Sequence, residues 1–238
     1  MTLRVSLEPS FILHTRPFRN TSLLLEIFTE KQGRISAVVR GAQGPRSKFR
    51  GLMQPFFPLL LSFSGRGELL TITDAEMHGH FLTPPNQAIL GVFYIHELLL
   101  RLVHRYDPHP DLFQAYSSML VHLTAGKPLE IELRRFEKRV LSELGYALLL
   151  DQEAVKRVPI ESDLFYYFQP DIGFIETDVM MGSDGPSVFL GQSLLDFHQE
   201  DFQNPASLKD AKRLMRLALA PLLGTRPLKS RELLLQLN

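Results

Sequence analysis

The chain has 238 residues, 45% of them hydrophobic and 22% charged, which is a globular composition far from disorder and a length that favours two domains over one. It contains no cysteine, which excludes a disulfide scaffold and a thiolate zinc cluster. The 26 basic and 26 acidic residues cancel, but seven basic and no acidic residues lie between Lys31 and Gly67, ten acidic residues face only Lys156 and Arg157 between Gly145 and Glu200, and seven basic residues face only Asp210 between Lys209 and Arg231.

The first 76 residues read as short β runs: Phe11–Thr15, Ser22–Thr29, Ile35–Val39, Leu59–Phe63 and Leu69–Thr73, with Gly33 and Gly65-Arg66-Gly67 as turn points. Five antiparallel strands of this size close most economically as a Greek-key barrel of the OB type, with an SH3-like barrel as the alternative. Between the third and fourth runs lies Arg40-Gly41-Ala42-Gln43-Gly44-Pro45-Arg46-Ser47-Lys48-Phe49-Arg50-Gly51. Its glycines would let the main chain approach phosphates, Arg40, Arg46, Lys48 and Arg50 would neutralise them, and Phe49 would stack on a base. Strand residues Arg34 and Arg66 would extend the same basic face. The competing reading is a flexible, solvated, charged loop. Phe56 and Phe57 are read as core.

From Thr83-Pro84-Pro85-Asn86 onward helical spacing dominates. A helix opens at Pro85-Asn86 and runs to Arg105, apolar on nearly every face and hence a buried central helix. Helices over Asp111–Ala125 and Ile131–Leu144 end at Gly126 and Gly145, residues suited to the left-handed position after a helix. In the second of these, Leu133, Phe136, Val140, Leu141 and Leu144 form the core stripe, with Arg134, Arg135, Lys138 and Arg139 largely off it. Tyr166 to Glu176 carries a hairpin signal, and Asn204-Pro205 opens a further helix that kinks or stops near Pro221.

Catalytic signatures are missing: there is no G-x-x-x-x-G-K-[ST], no G-x-G-x-x-G and no G-x-S-x-G. His78-Gly79-His80 reads as a solvent-facing strand end, and Asp107-Pro108-His109-Pro110 as a loop between helices. The expectation is a binding protein that catalyses no covalent chemistry and takes no cofactor. With no apolar segment near membrane-spanning length and no leader pattern, a soluble cytosolic location is expected.

Several separated motifs then acquire meaning from their order. They are Leu13-His14-Thr15-Arg16-Pro17, Ser22 to Thr29, Gly33-Arg34, Gly41-Ala42, Gly51 to Phe56 and Ser64-Gly65-Arg66-Gly67-Glu68, then Tyr94-Ile95-His96-Glu97-Leu98-Leu99, Leu133-Arg134-Arg135-Phe136-Glu137, Leu144-Gly145-Tyr146, Ala211 to Arg216 and Arg226 to Leu233. In this order the chain resembles the bacterial RecO family of recombination mediators over almost its whole length. The resemblance implies an α+β multidomain protein: an N-terminal OB-fold β-barrel over residues 1–80, then a mainly α-helical C-terminal domain over 81–238 with a small β-hairpin insert. It also implies a cytoplasmic, nucleoid-associated protein that binds single- and double-stranded DNA, anneals complementary strands without ATP, and works with RecR and single-stranded-DNA-binding protein (SSB) to load RecA. The acidic, apolar-ended tail of SSB would dock beside Phe136, where Arg134 and Arg135 are expected to emerge and grip a carboxylate. Some relatives carry a four-cysteine zinc cluster in the C-terminal domain, which this chain cannot form. An RNA-binding OB protein is the alternative function, because backbone recognition does not itself separate DNA from RNA.

Overall fold

The computed structural model describes residues 2–80, 82–177 and 187–236, and in the last helix not the side chains of 231 and 234–236. Strands β1 (Leu3–Phe18), β2 (Ser22–Thr29), β3 (Gly33–Val39), β4 (Leu59–Gly65) and β5 (Leu69–Met77) close into a barrel in the order β1-β2-β3-β5-β4. All neighbouring pairs are antiparallel except β3 with β5. Alternation along each strand drives the closure: Leu25 and Ile27, Ile35, Ala37 and Val39, Leu59, Leu61 and Phe63, and Leu70 and Ile72 all meet in one buried core.

The first strand is much longer than the predicted run Phe11–Thr15 because two irregularities let it bend. Its first half pairs with β4, with a register shift between Val5 and Glu8 where Leu7 has φ +52°, and its second half pairs with β2, with a shift between Ile12 and His14. Pro9 and Pro17 hide this continuity in the sequence, since proline within a run argues against a strand away from edges and bulges. One bent strand thus borders two neighbours and shuts the barrel.

Two compact units divide the chain. The first comprises residues 1–127 and 227 onward, and the second comprises 128–226. The expected division at 80/81 marks the change from strands to helices, whereas the compact units divide after Lys127 and return the C-terminal segment to the first unit.

In the first unit the barrel is joined by α1 (Asn86–Leu102), α2 (Pro110–Thr124) and α6 (Lys229–Gln236). His96 on α1 is fully buried; one ring nitrogen lies 2.9 Å from the Leu13 carbonyl and the other 2.5 Å from the Tyr116 hydroxyl on α2. A carbonyl only accepts, so Nδ1 carries the proton and donates to it, while Nε2 accepts from Tyr116. Leu13 is the residue at which the β1–β2 register shifts, which puts its carbonyl outside the regular ladder and in need of a partner. Phe11, Phe113 and Tyr116 pack edge-on or tilted around the same point. Farther along α1, Glu97 accepts from the Lys229 and Ser230 amides and the Ser230 hydroxyl, capping α6, while Arg101 donates to the Pro227 carbonyl. Burial opposes the charged form of Glu97, but the Ser230 and Lys229 donors and Arg101 outweigh it and hold its carboxyl below the usual range.

Gly33 shows how tightly the loop after α1 docks. It has φ +66°, and a Cβ there would stand 2.2 Å from the Asp107 carbonyl oxygen, so only glycine fits. Tyr106 donates its amide to the Arg34 carbonyl at this point.

The second unit contains α3 (Leu129–Glu143), a sheet of β6 (Phe165–Gln169), β7 (Gly173–Glu176) and β8 (Val188–Leu190) in the order β7-β6-β8, α4 (Gly191–Gln199) and α5 (Pro205–Leu223). The predicted hairpin is β6 with β7, to which β8 adds a third strand. Asn204 caps α5 by accepting from the Ala206 amide, and Pro205 sits in its first turn. Pro221 falls in the last turn, close to where a stop was expected. No described helix is long and apolar enough to cross a membrane.

The buried histidine makes the first unit acid-sensitive. Desolvation lowers the His96 pKa to about 3 from an ordinary value of 6.5, so between those values the unfolded chain binds a proton that the folded chain refuses. Stability contributed by His96 is therefore complete above pH 6.5 and is lost as pH falls toward 3, at up to about 1.4 kcal/mol per pH unit. In urea unfolding at pH 7.5 and 5.0, His96→Phe is expected to be the less stable protein at pH 7.5 but to lose less on acidification than wild type; parallel losses would contradict this.

Candidate nucleic-acid interface

Residues 40–58, the long loop between β3 and β4, are built into the barrel. Ala42, Phe49 and Met53 belong to the barrel core. Successive turns run from Gly44 to Gly41, Ser47 to Gly44, Arg50 to Ser47 and Leu52 to Phe49, each an amide donating to a carbonyl three residues back. Gly41 and Gly51, at φ +66° and +80°, supply left-handed corners. Phe49 is only 8% exposed. Its expected role as a stacking platform is thus corrected: the ring anchors the loop, and the loop is not a flexible charged tether.

The loop is also tied to the β1–β2 turn, where the Gln43 amide donates to the Thr21 carbonyl at 3.0 Å. Strand register supplies the rest of the geometry. Arg16 pairs with Leu24, Leu24 with Val38, and Phe18 with Ser22. Leu25, Ala37 and Val39 point into the core, so the alternate residues Arg16, Phe18, Ser22, Leu24, Val38 and Arg40 lie on the outer face. Arg16 and Arg40 are exposed there, as are Arg19 on the turn and Arg46 on the loop. Among the described residues, the side chains of Arg16, Arg40 and Arg46 have no hydrogen bond or ion pair.

The other candidates are held by other groups. Arg50 donates to the Pro45 carbonyl at 3.4 Å, a long contact that leaves it exposed at the loop's end. Lys48 pairs with Asp74 at 2.7 Å and reaches the Thr73 carbonyl; its hydrogen bond is the main cause of a lowered Asp74 pKa. Arg34 departs most from expectation. Its Nε donates to the Val103 carbonyl, its guanidinium pairs with Glu26 at 3.0 Å, and its side chain is 15% exposed. Glu26 also receives Ser36 and Arg105. This network fastens the end of α1 to the barrel, so Arg34 is not part of the exposed basic face. Arg66 donates to the Thr2 hydroxyl at the other end of β4 from the loop, about 20 Å away for a seven-residue strand. Sequence reading missed Arg16 and Arg19 because the charge count began at Lys31; the hairpin Arg16-Pro17-Phe18-Arg19-Asn20 carried the signal, but it is tertiary contacts such as Gln43 with Thr21 and Thr15 with Met53 that join it to the loop.

In the second unit Arg134 and Arg135 do not emerge together as expected. Arg134 is 4% exposed and pairs with Glu137, itself 1% exposed, at 3.0 Å. Arg135 is half-buried and is shared by Glu132 and Glu200 at 3.1 Å each. Turning Arg134 inward corrects the picture of two guanidinium groups beside an apolar stripe: the intrahelical partners have taken both. Both side chains of the Arg134–Glu137 pair are nearly inaccessible, whereas the Arg135 guanidinium is partly solvated, so Arg134→Ala is expected to destabilise the second unit in urea unfolding by more than Arg135→Ala does.

Comparisons with known proteins agree along the whole chain. The family model described as "Recombination protein O N terminal" matches residues 4–81, and that described as "Recombination protein O C terminal" matches residues 87–232. A DNA repair protein RecO of Coxiella burnetii (strain RSA 493 / Nine Mile phase I) is 46% identical over 234 residues, 98% of this chain and 100% of that protein. Similar proteins of the same name from Burkholderia pseudomallei (strain 1710b) and Nitrosospira multiformis are 41% and 40% identical, covering 99% and 97% of this chain and 85% and 95% of their own lengths. With both halves matched in order and relatives of 40–46% identity spanning nearly the whole chain, the chain belongs to the RecO family of DNA repair and recombination proteins.

Proposed function

We propose that the first unit is an OB-type DNA-binding barrel, and that the protein acts as a recombination mediator that holds single- and double-stranded DNA by its phosphates and anneals complementary strands without ATP. The observation that carries this reading is the gathering of Arg16, Arg40 and Arg46, exposed and unpaired among the described residues, with Arg19 and Arg50 at one end of the barrel beside a loop fixed by its own core residues. Cations already paired add little to phosphate affinity; cations facing water release counterions when they meet DNA. A face built this way reads charge and leaves base edges free to pair, which is what annealing requires. Binding then suffices, and the protein is proposed to be no enzyme and to need no cofactor.

The partners RecR, SSB and RecA, and a place on the nucleoid, follow from family membership as proposals of the same kind. For the SSB tail, the inward turn of Arg134 makes Arg135 the more accessible of the two arginines, and a tail carboxylate would have to displace Glu132 or Glu200 from it. RNA binding is the second reading, because the same phosphate geometry admits RNA.

Engagement of about four to five cations predicts that log K for single-stranded DNA falls with log salt at a slope near 3. Replacing Arg16, Arg40 and Arg46 together by alanine is expected to lower that slope by about 2 and to weaken all sequences alike. Arg66→Ala should change neither. Titrations of labelled oligonucleotides at several salt concentrations, with unlabelled RNA of equal length as competitor, measure all of this; an unchanged slope in the triple variant overturns the assignment of the face.

A further inference from the structure

The same end of the barrel contains an aromatic ring that the basic face does not account for. Phe18 ends β1, is half-buried, and lies on the outer face with Arg16 and Arg40. The Arg19 guanidinium stands over its ring, 5.2 Å from the centroid, and Arg19 itself adopts φ +54°, the left-handed corner of the hairpin. Phe18 is two residues from Arg16 on one strand and two strands from Arg40, about 7 Å and about 10 Å respectively. A flat ring and a flat cation are thus flanked on two sides by unpaired positive charge.

Phe93 and Tyr106, the exposed aromatics among the described residues of the first unit, are differently employed. Phe93 packs on Phe56 and His96. Tyr106 gives its hydroxyl to the Gly67 and Glu68 carbonyls, beside the carboxylate of Glu68. Phe49 is in the core.

We propose that the Phe18–Arg19 pair is a stacking platform for an unpaired base, with Arg16 and Arg40 holding the phosphates on either side. This rests on the DNA-binding reading above and adds to it a preference for single strands. In a duplex both faces of every base are covered by neighbours, so the platform has nothing to take; in a single strand a face is open. Stacking uses the face and leaves the pairing edge exposed, so a strand held here remains open to its complement.

The chain has no tryptophan, so Phe18→Trp places a single indole reporter at the platform. Three probes are titrated at one salt concentration: an oligo(dT) strand, an abasic strand with the same phosphates, and a duplex of equal length. Phe18→Leu is expected to weaken oligo(dT) binding about tenfold or more and to leave the abasic and duplex probes within about twofold of wild type. Phe18→Trp is expected to keep oligo(dT) affinity and to show indole quenching by oligo(dT) but not by the duplex. Equal losses on all three probes, or an unquenched indole with oligo(dT) bound, overturn the platform. If Phe18→Leu loses its circular dichroism spectrum, the quenching experiment decides alone. If wild type binds none of the probes, the DNA-binding reading falls and the platform with it; if wild type binds and the Phe18 variants do not differ from it, only the platform falls.

Discussion

The first unit depends on the way β1 leaves its ladder at Leu13. A strand that must border β4 with one half and β2 with the other cannot stay regular, and the irregularity between Ile12 and His14 frees a carbonyl in a place that water does not reach. A buried unpaired carbonyl would cost roughly 1–3 kcal/mol. His96 meets it, and Tyr116 meets His96, so one hydrogen-bonded chain fixes β1, α1 and α2 together. Both groups are held neutral by the same burial: it lowers the imidazole pKa and raises that of the phenol. The barrel's closure and the placement of its helices are thereby a single problem with a single solution.

Once α1 is fixed, it sorts the charged residues. Its C-terminal end offers the Val103 carbonyl to Arg34, and the loop beyond offers Arg105 to Glu26. Glu97, midway along it, draws the C-terminal segment back by capping α6. These contacts draw Arg34, Glu26 and Glu97 in from the surface, while Arg105 stays exposed. What remains outside, at the hairpin end that these contacts leave free, is Arg16, Arg19, Arg40 and Arg46. A chain of zero formal net charge still gathers exposed arginines at one end of the barrel, because Glu8, Glu26 and Glu97 are engaged elsewhere within the first unit.

The second unit carries the complementary lesson. Arg134, Glu137 and Glu132 are nearly inaccessible on an amphipathic helix whose polar face would ordinarily be solvated. Buried ion pairs contribute little net stability, yet removing one partner is severe. In Leu133-Arg134-Arg135-Phe136-Glu137 one such pair, Arg134 with Glu137, lies inside the second unit and not on its surface.

The sequence by itself determined what periodicity and local chemistry can determine. Alternating apolar residues marked four of the five barrel strands to within a few residues, glycine and Asn-Pro signals marked helix ends, and the absence of cysteine ruled out a thiolate zinc site. Ordered motifs gave the family, because order along the chain is a one-dimensional property. Only the tertiary structure decided which arginines face water. Arg34 and Arg40 look alike in the sequence, six residues apart in one basic run, but strand register and the docking of α1 bury the first and expose the second. Phe49 and Phe18 differ for the same reason, one ring lying in the barrel core and the other on the outer face. Local sequence specifies the charge or ring; which side of a closed surface it occupies follows from pairing across residues distant in the chain.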